Sequence, residues 1–361
     1  MVCFIMYKKL FHLVLFILIS ISLRAQAAVI LQYHHVSETL PAVTSVSAST
    51  FTEHLSYLKE HNFNVIPLDE LITALQQKHT LPDKTVAITF DDGYNNNYEQ
   101  AAPILEKFGY PYTIFVNPKL IDEGKGYVMG WDKLQELAKK GALIANHSGQ
   151  HDYLHHMLAN ESDAQWQARI KQDILHSQQR IKTEIGHDYK YLAYPYGEFN
   201  NKLQALVTEL GFIGIGQHSG AVNKDSNFSR LPRFPASGFY SKLDTLITKL
   251  NSRAFNITAL TYEDSVTAQN PPKLTIEFTM GDFHKSQFAC YVSSVGQANL
   301  TWINKNTVEV TSPKALNKGR SRFNCTAPAI NNAGSYFWFS QPWVIESVSY
   351  THLRAHETCA D

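Results

Sequence analysis

Two short stretches of this 361-residue sequence combine residue types that bind metals and move protons. Asp91 and Asp92 stand side by side before a glycine, and His147 and His151 are spaced four residues apart. Two imidazoles and one carboxylate are a common ligand set for a divalent metal with positions left open for water. One helical turn would place both imidazoles on the same face. Together with the adjacent carboxylates, the pattern predicts a divalent-metal site that leaves positions for water.

Four apolar, strand-like runs lead directly into histidines, carboxylates or aromatic residues. The runs are Val29–Tyr33 before His34 and His35, Thr85–Phe90 before Asp91 and Asp92, Leu143–Ala145 before Asn146 and His147, and Tyr191–Tyr194 before Pro195 and Tyr196. In parallel α/β folds, functional groups collect where strands finish, at the carboxyl edge of the sheet. We therefore expect these residues to meet in one site.

The order of the apolar patterns predicts an α/β domain followed by a smaller all-β domain. From residue 28 to about residue 250, strand-like runs alternate with amphipathic helical patterns, which predicts parallel strands with crossover helices. One such helix carries Phe51, Leu55 and Leu58 on one face, with Ser49 as its expected cap. After residue 254, short strand-like runs separated by Gly, Asn and Ser predict an antiparallel β-sandwich. The expected boundaries are 28–255 for the catalytic domain, 256–271 for a linker and 272–347 for the β-sandwich-like domain.

The N-terminus has the pattern of a secretory signal peptide, expected at residues 1–27. Lys8 and Lys9 precede an apolar run from Leu10 to Ile21, and an Ala-Gln-Ala cleavage pattern ends at Ala27. The run is too short for a comfortable membrane span. It predicts export to the periplasm or the medium, with no stable membrane span after cleavage.

The last stretch, residues 348–361, fits neither predicted domain. It resembles translated sequencing-adapter read-through, and a genuine tail is the alternative. His352 and His356 within it have metal-ligand spacing, and we do not count them as ligands.

The cysteines indicate the compartment of the protein, and the charge balance limits the classes of binding partner. Cys3 would leave with the signal and Cys359 lies in the suspect tail, so Cys290 and Cys325 remain as an even pair in an oxidising compartment. They are expected to form a disulfide. Lys+Arg and Asp+Glu number 32 each, without a long basic run, so nothing in the charge favours nucleic acid or an anionic membrane.

The two chemical motifs, taken in order, resemble those of a known family. Thr89–Gly93 followed by His147–His151 is similar to the first two motifs of the polysaccharide deacetylases, carbohydrate esterase family 4, over roughly Val29 to Arg233. The resemblance implies a distorted (β/α) barrel. It also implies a metal, usually Zn²⁺, held by Asp92, His147 and His151, with Asp91 as general base. The oxyanion donor would be the backbone N–H of Tyr196, after Pro195.

Two departures from the family pattern point to one subgroup. Ala193 stands where the third motif commonly has Arg, and the C-terminal Leu-x-His motif is not found before the β-domain. Both features are similar to the biofilm poly-N-acetylglucosamine deacetylases, which take that histidine from the first strand. His34 matches this position and is expected to be the general acid, with His35 as the alternative. Arg233 either orients Asp91 or is an ordinary surface cation.

The expected activity is removal of N-acetyl groups from an N-acetylglucosamine-containing polysaccharide such as poly-N-acetylglucosamine or a chitin-like polymer. Tyr94, Trp131 and Tyr196 could stack on sugar rings, or could be core or rim residues. Two alternatives stay open: a deacetylase for acetyl-xylan or peptidoglycan with the same site, and a non-catalytic glycan-binding protein. The oligomeric state is not indicated by the sequence.

Overall fold

A computed structural model describes residues 27–279 and 281–346. The expected signal peptide up to residue 26, the suspect tail, Cys3, Cys359, His352 and His356 lie outside the described residues. Within the described ranges, no helix is both long enough and apolar enough to cross a membrane.

The first part of the chain forms a parallel half-barrel sheet. Its strands, with the short pair β2 and β3 beside it, are β1 (Ala28–Tyr33), β2 (His35–Val36), β3 (Ser45–Val46), β4 (Asn64–Val65), β5 (Thr85–Phe90), β6 (Thr113–Val116), β7 (Leu143–Asn146), β8 (Tyr191–Ala193), β9 (Ile213–Ile215) and β10 (Phe234–Pro235). The sheet order is β10-β1-β5-β6-β7-β8-β9, and β4 pairs with β5. All of these strand pairs are parallel. Parallel pairing requires a crossover connection between consecutive strands, and helices and loops supply it.

Helices cover the outside of this sheet. They are α1 (Ala48–Glu60), α2 (Leu68–Gln76), α3 (Ala102–Phe108), α4 (Pro118–Asp122), α5 (Trp131–Lys139), α6 (Asp163–Ile185), α7 (Asn201–Glu209) and α8 (Leu243–Leu250). The predicted helix at Phe51, Leu55 and Leu58 is present and buries all three residues, but Ser49 lies inside it. The cap is Ser47, whose hydroxyl accepts the Thr50 N–H at 3.0 Å.

The C-terminal part is all-β, as predicted. Its strands are β11 (Ser252–Arg253), β12 (Ile257–Thr261), β13 (Val266–Thr267), β14 (Lys273–Phe278), β15 (Ala289–Val292), β16 (Gly296–Gln297), β17 (Asn299–Trp302), β18 (Thr307–Thr311), β19 (Gly319–Pro328) and β20 (Tyr336–Ile345). One sheet has the order β11-β20-β19-β15-β16 with β13 on β20, and the other has the order β12-β14-β18-β17. The segment 256–271, predicted as a linker, contributes strands to both sheets. Its many polar residues concealed the short pairing runs.

An apolar core between these two sheets is stapled by the predicted disulfide, which is confirmed. Cys290 and Cys325 lie directly opposite each other on β15 and β19 and are bonded. Both are fully buried within the same core cluster. The crosslink joins positions 35 residues apart and so reduces the conformational entropy of the unfolded chain.

The half-barrel and the β-domain pack against each other through buried polar and aromatic contacts. Arg230 of the half-barrel donates to the Tyr262 hydroxyl and to Gln341 Oε1, each at 2.9 Å. Trp338 of β20 makes an edge contact with Phe234 of β10, with ring centroids 5.3 Å apart. A buried arginine paired in this way fixes the orientation of the two parts.

Candidate active site

The carboxyl ends of β1, β5, β7 and β8 meet at one edge of the half-barrel, as the sequence predicts. Neighbouring strands in the order β1-β5-β6-β7-β8 bring their terminal side chains together. Asp92 Oδ1 is 3.4 Å from His147 Nε2 and 3.4 Å from His151 Nε2. The three ligand atoms lie within 4.8 Å of one another. This edge is therefore the candidate site.

The two histidines reach Asp92 through a turn, and the predicted helical turn is wrong. Strand β7 ends at Asn146, and the following residues form no helix. Asn146 Oδ1 accepts the Ser148 N–H at 2.9 Å, and both Ser148 (φ 66°) and His151 (φ 65°) adopt left-handed backbone conformations. This folded-back loop, not a helical period, aims the imidazoles at the same point.

The donor atoms of this cluster fit a divalent cation. His147 Nδ1–H donates to the Ala193 carbonyl at 2.7 Å, which leaves Nε2 as the free donor atom of the neutral ring. That Nε2 is buried and has no hydrogen-bond partner among the described residues. A buried, unpaired ring nitrogen is costly unless something binds it. Two imidazoles and a carboxylate at this spacing match the preferences of Zn²⁺.

The pKa directions show that the cluster attracts positive charge. Burial alone would raise the pKa of Asp92, but the adjacent His147, with smaller effects of His34 and His151, lowers it to about 2. Burial alone would lower the pKa of His147, but the carboxylates of Asp92 and Asp91 raise it. Burial and the adjacent His147 lower the pKa of His151 to about 4. Asp92 is thus ionised and His151 neutral at pH 7, the forms that bind a metal, and a cation here would displace the proton that the carboxylates favour on His147.

Asp91 lies behind this cluster in a buried ion pair with Arg233. Both side chains are 0% exposed, and the guanidinium donates to Oδ1 at 2.7 Å and to Oδ2 at 2.8 Å. Gln32 Nε2 donates to the same Oδ2 at 2.6 Å. Arg233 is therefore not the surface cation that the sequence left open. Burial alone would raise the pKa of Asp91, but the charge of Arg233 holds it well below its usual range.

His34 and His35 point to different surroundings. His34 lines the cleft, and its Nε2 is 3.9 Å from Asp91 Oδ2. His35 stacks on Tyr94 at a centroid distance of 3.7 Å, and its Nδ1 lies 2.9 Å from Asn96 Nδ2. His34 is thus the histidine that faces the predicted metal ligands and the buried carboxylate together.

Tyr196 occupies a turn that leaves its backbone N–H free. It has φ 61° and ψ 0° in the short 3-10 turn Pro195–Gly197, and Pro195 is buried. Within the described ranges, no acceptor is bonded to the Tyr196 N–H. Its ring stacks on Tyr153 at 4.0 Å and meets His151 edge-on at 4.4 Å. An unpaired N–H beside the histidine cluster is a suitable donor for a developing oxyanion.

Of the three aromatic residues predicted to stack on sugars, two line the cleft and one does not. Tyr94 and Tyr196 border both the main cavity of about 400 Å³ and an adjoining one of about 310 Å³. Trp131 borders neither cavity. Its indole N–H donates to Asp122 at 2.7 Å, and Arg180 covers its ring at 5.6 Å. Trp131 is therefore a packing residue at the start of α5.

Comparison with known proteins identifies the half-barrel. The model of the polysaccharide deacetylase family matches residues 78–215. This stretch contains both Asp91–Asp92 and the two histidines. Residues 78–215 match a polysaccharide deacetylase domain.

Relatives of known description agree with this assignment. A putative polysaccharide deacetylase of Bacillus subtilis, YxkH, is 26% identical over 211 residues, covering 58% of this chain and 71% of the relative. A poly-beta-1,6-N-acetyl-D-glucosamine N-deacetylase of Staphylococcus aureus is 29% identical over 196 residues, covering 52% and 67%. The Streptococcus pyogenes deacetylase PplD, solved with acetate, has the same fold, with a TM-score of 0.57 and 20% identity, covering 62% of this chain and 98% of PplD.

Three residues around the deacetylase site were not predicted from the sequence. Gln32 is one polar residue in the otherwise apolar strand β1, a signal that could have found it. Arg320 and Arg322 of β19 also line the main cavity, although they belong to the β-domain. No local pattern indicates that this strand lies over the deacetylase site, because the packing of the two parts is not encoded in either segment alone.

Proposed function

We propose that this polysaccharide deacetylase is an exported, metal-dependent enzyme that removes N-acetyl groups from poly-β-1,6-N-acetylglucosamine. The observation that carries the proposal is the buried Asp91–Arg233 pair directly behind the Asp92, His147 and His151 cluster, in an open cleft. A base, a cation site and room for a polymer thus occur together. The similarity to the Staphylococcus aureus relative supports the choice of polymer.

The reaction consumes water and converts an acetamido group into acetate and a free amine. Asp91, held ionised by Arg233, accepts the proton of the attacking water. Asp91 has no exposed surface, and we expect the water to reach it beside His34, whose Nε2 lies 3.9 Å from Asp91 Oδ2. Asp92, His147 and His151 would hold a divalent cation, which would supply Lewis-acid chemistry by acidifying water and polarising the acetyl carbonyl.

The collapse of the tetrahedral intermediate needs a donor for the oxyanion and a proton for the amine. The Tyr196 N–H, which has no bonded acceptor among the described residues, would donate to the oxyanion and stabilise it. His34, which lines the cleft, gives its proton to the departing nitrogen as the C–N bond breaks. The products are acetate and a glucosamine unit that remains in the chain.

The rim of the cleft is suited to a sugar polymer. Phe239 is 87% exposed, and Tyr240 beside it lines the main cavity, while Tyr127 and Tyr153 are exposed on the other side of Tyr196. Aromatic faces at a water-filled groove stack on the apolar faces of sugar rings. The two adjoining cavities give space for units on either side of the reacting one.

Export is proposed from the signal pattern at residues 1–27 and from the Cys290–Cys325 disulfide. Structural disulfides persist in oxidising compartments and are rare in the bacterial cytosol. The bond in β15 and β19 therefore supports folding in the periplasm or the medium.

A substrate panel tests the proposal. Acetate release would be measured with poly-β-1,6-N-acetylglucosamine, chitin oligomers, peptidoglycan and acetyl-xylan, using Asp91→Asn as the matched inactive control. The proposal predicts the highest kcat/KM for the β-1,6-linked polymer. Higher activity on acetyl-xylan or peptidoglycan would replace the substrate, and no release from any of them would favour a glycan-binding protein.

A further inference from the structure

A second group of metal-ligating side chains lies next to the active site and has no part in the proposed mechanism. It consists of His155 and His156, in the loop after β7, and Glu198, in the loop after β8. One ligand atom from each residue lies within 4.8 Å of the other two. None of the three belongs to the Asp92, His147 and His151 cluster.

His155 is buried without the partners that a buried imidazole requires. Its side chain is 1% exposed, and neither ring nitrogen has a hydrogen-bond partner among the described residues. Leaving such polar atoms unpaired carries the full cost of removing them from water. The environment of His155 therefore calls for a ligand that the polypeptide does not provide.

The spacing of His155 and Glu198 suits two ligands of one cation. His155 Nε2 is 3.6 Å from Glu198 Oε2, too long for a hydrogen bond. With bonds of about 2.0–2.2 Å in a tetrahedral arrangement, two ligands of one Zn²⁺ lie roughly 3.3 Å apart. In the first cluster the corresponding distances are 3.4 Å. The second pair thus repeats the spacing of the predicted catalytic ligands.

The charges around the group leave one carboxylate oxygen available. Arg320 Nε is 3.5 Å from Glu198 Oε1, so Oε2 remains for a cation. His156 is exposed and stacks on Tyr153, and it supplies the third nitrogen at the solvent side.

We propose that His155, His156 and Glu198 bind a second divalent cation, with Zn²⁺ preferred because two of its three ligands are imidazoles. The fourth position faces the exposed side of His156 and would hold water. This cation site is separate from the catalytic one, and the proposal goes beyond the proposed function without depending on it.

The position of the site gives it a structural role. The proposed cation would join two loops of the active site. His155 lies four residues after His151 in one loop, and Glu198 lies two residues after Tyr196 in the other. Tyr153 already stacks on both His156 and Tyr196. A cation there would hold the two loops at a fixed separation and thereby fix the direction of the Tyr196 N–H.

Metal stoichiometry of the full chain tests the proposal. Wild type, Asp92→Ala, His155→Gln and the double variant would be equilibrated with Zn²⁺, freed of excess by gel filtration, and analysed for zinc per chain. We expect two, one, one and none. Equal zinc in Asp92→Ala and the double variant would overturn the second site, whereas one zinc in wild type, retained in Asp92→Ala, would overturn the catalytic metal and leave the second site standing.

Two further variants separate metal binding from folding. His187 also has two buried, unpartnered ring nitrogens but no carboxylate in a ligand cluster, so His187→Gln should leave the stoichiometry unchanged. His156 is exposed, so His156→Ala should fold and weaken zinc binding in the Asp92→Ala background at least tenfold. Zn²⁺ should raise the Tm of Asp92→Ala, and an unchanged Tm with undiminished affinity in His156→Ala would contradict the proposal.

Discussion

His34 and His35 are neighbours in the chain, but only His34 lies in the cleft with Asp91 and Asp92. Because the general acid must reach the departing nitrogen, His34→Ala should lower kcat by about 10²–10⁴-fold. His35→Ala removes a ring that packs on Tyr94 and should change kcat far less. Single-turnover acetate release at equal zinc content compares the two variants. A collapse of turnover only in His35→Ala would show that His35, not His34, is the general acid.

Asp91 is a second residue whose position sets a testable role. Without Arg233, the largest influence that opposes burial is lost, so the pKa of the Asp91 carboxyl rises. The base is then lost by protonation at a higher pH, so Arg233→Gln should move the acid limb of the kcat/KM profile upward relative to wild type. An acid limb at the same pH, with lower activity throughout, would show that Arg233 does not control the ionisation of Asp91.

Kinetics of a double variant test whether Asp91 and His34 act independently. Asp91 is fully buried and its Oδ2 lies 3.9 Å from His34 Nε2, and the proposed mechanism has it act on water independently of His34. If it acts on water, the double variant Asp91→Asn/His34→Ala should be slower than either single variant. If the double variant equals His34→Ala, Asp91 is a positioning residue for His34.

At the scale of elements, α1 is tied to the rest of the half-barrel through a buried histidine. His54 Nε2–H donates to the Ser241 carbonyl at 2.6 Å, and its Nδ1 lies 3.0 Å from the Tyr33 hydroxyl. Burial is the main cause that lowers the pKa of His54 from 6.5 to about 4. The unfolded chain therefore binds a proton at a higher pH than the folded one.

His54 should make stability depend on pH in a defined window. A depressed folded-state pKa contributes stability that is present above pH 6.5 and is lost as the pH falls towards 4, up to about 3 kcal/mol. Urea denaturation at pH 7 and pH 4.5 should show a smaller pH difference for His54→Gln than for wild type. The exposed His79→Gln serves as control, and an equal pH difference in all three proteins would contradict the assignment.

The elements also show what the sequence could and could not predict. The strand ends at His34, Asp91, His147 and Pro195 follow from apolar runs, because each run is a fully buried strand of the parallel sheet. The His147–His151 turn could not be read in this way, since its left-handed residues at Ser148 and His151 are neither Gly nor Asn. Strand β19 was also missed, because its buried face includes small residues and no long apolar run.

At the scale of the whole molecule, the β-domain completes the wall of the deacetylase cleft. Arg322 lines the main cavity, and its charged or titratable neighbours include Tyr240, Arg320 and His218. In the described part of the chain, no carboxylate forms a salt bridge with Arg322, so its donors are available to a ligand. Such donors suit the hydroxyl and carbonyl oxygens of a sugar polymer.

Loss of this arginine should affect substrate binding more than chemistry. A hydrogen bond from a charged group is worth roughly 1.5–3 kcal/mol, so Arg322→Gln should raise KM for the polymer about tenfold or more with little change in kcat. The exposed Lys318→Gln, which removes a charge outside the cavity, is the matched control. Equal KM values for both variants would remove the β-domain from substrate binding.

The packing of the two domains against each other was the feature least predictable from the sequence. The α/β and all-β fold classes could each be predicted from their own segments, but Arg230 contacts Tyr262 and Gln341 only in the folded structure. These contacts are spread over 111 residues of sequence and follow no local period. A cleft that draws residues from both domains is therefore visible only in three dimensions.

The central claim is that the Asp92, His147 and His151 cluster binds a cation required for deacetylation by Asp91. The most direct measurement follows free amine formation on poly-β-1,6-N-acetylglucosamine together with zinc content, for wild type, chelator-treated wild type with zinc restored, Asp92→Ala and Asp91→Asn. We expect activity to disappear with the metal and return with it, Asp92→Ala to lack catalytic zinc, and Asp91→Asn to keep zinc but lose turnover by about 10²–10⁴-fold. Full activity after complete metal removal, or near-normal turnover in Asp91→Asn, would contradict the account.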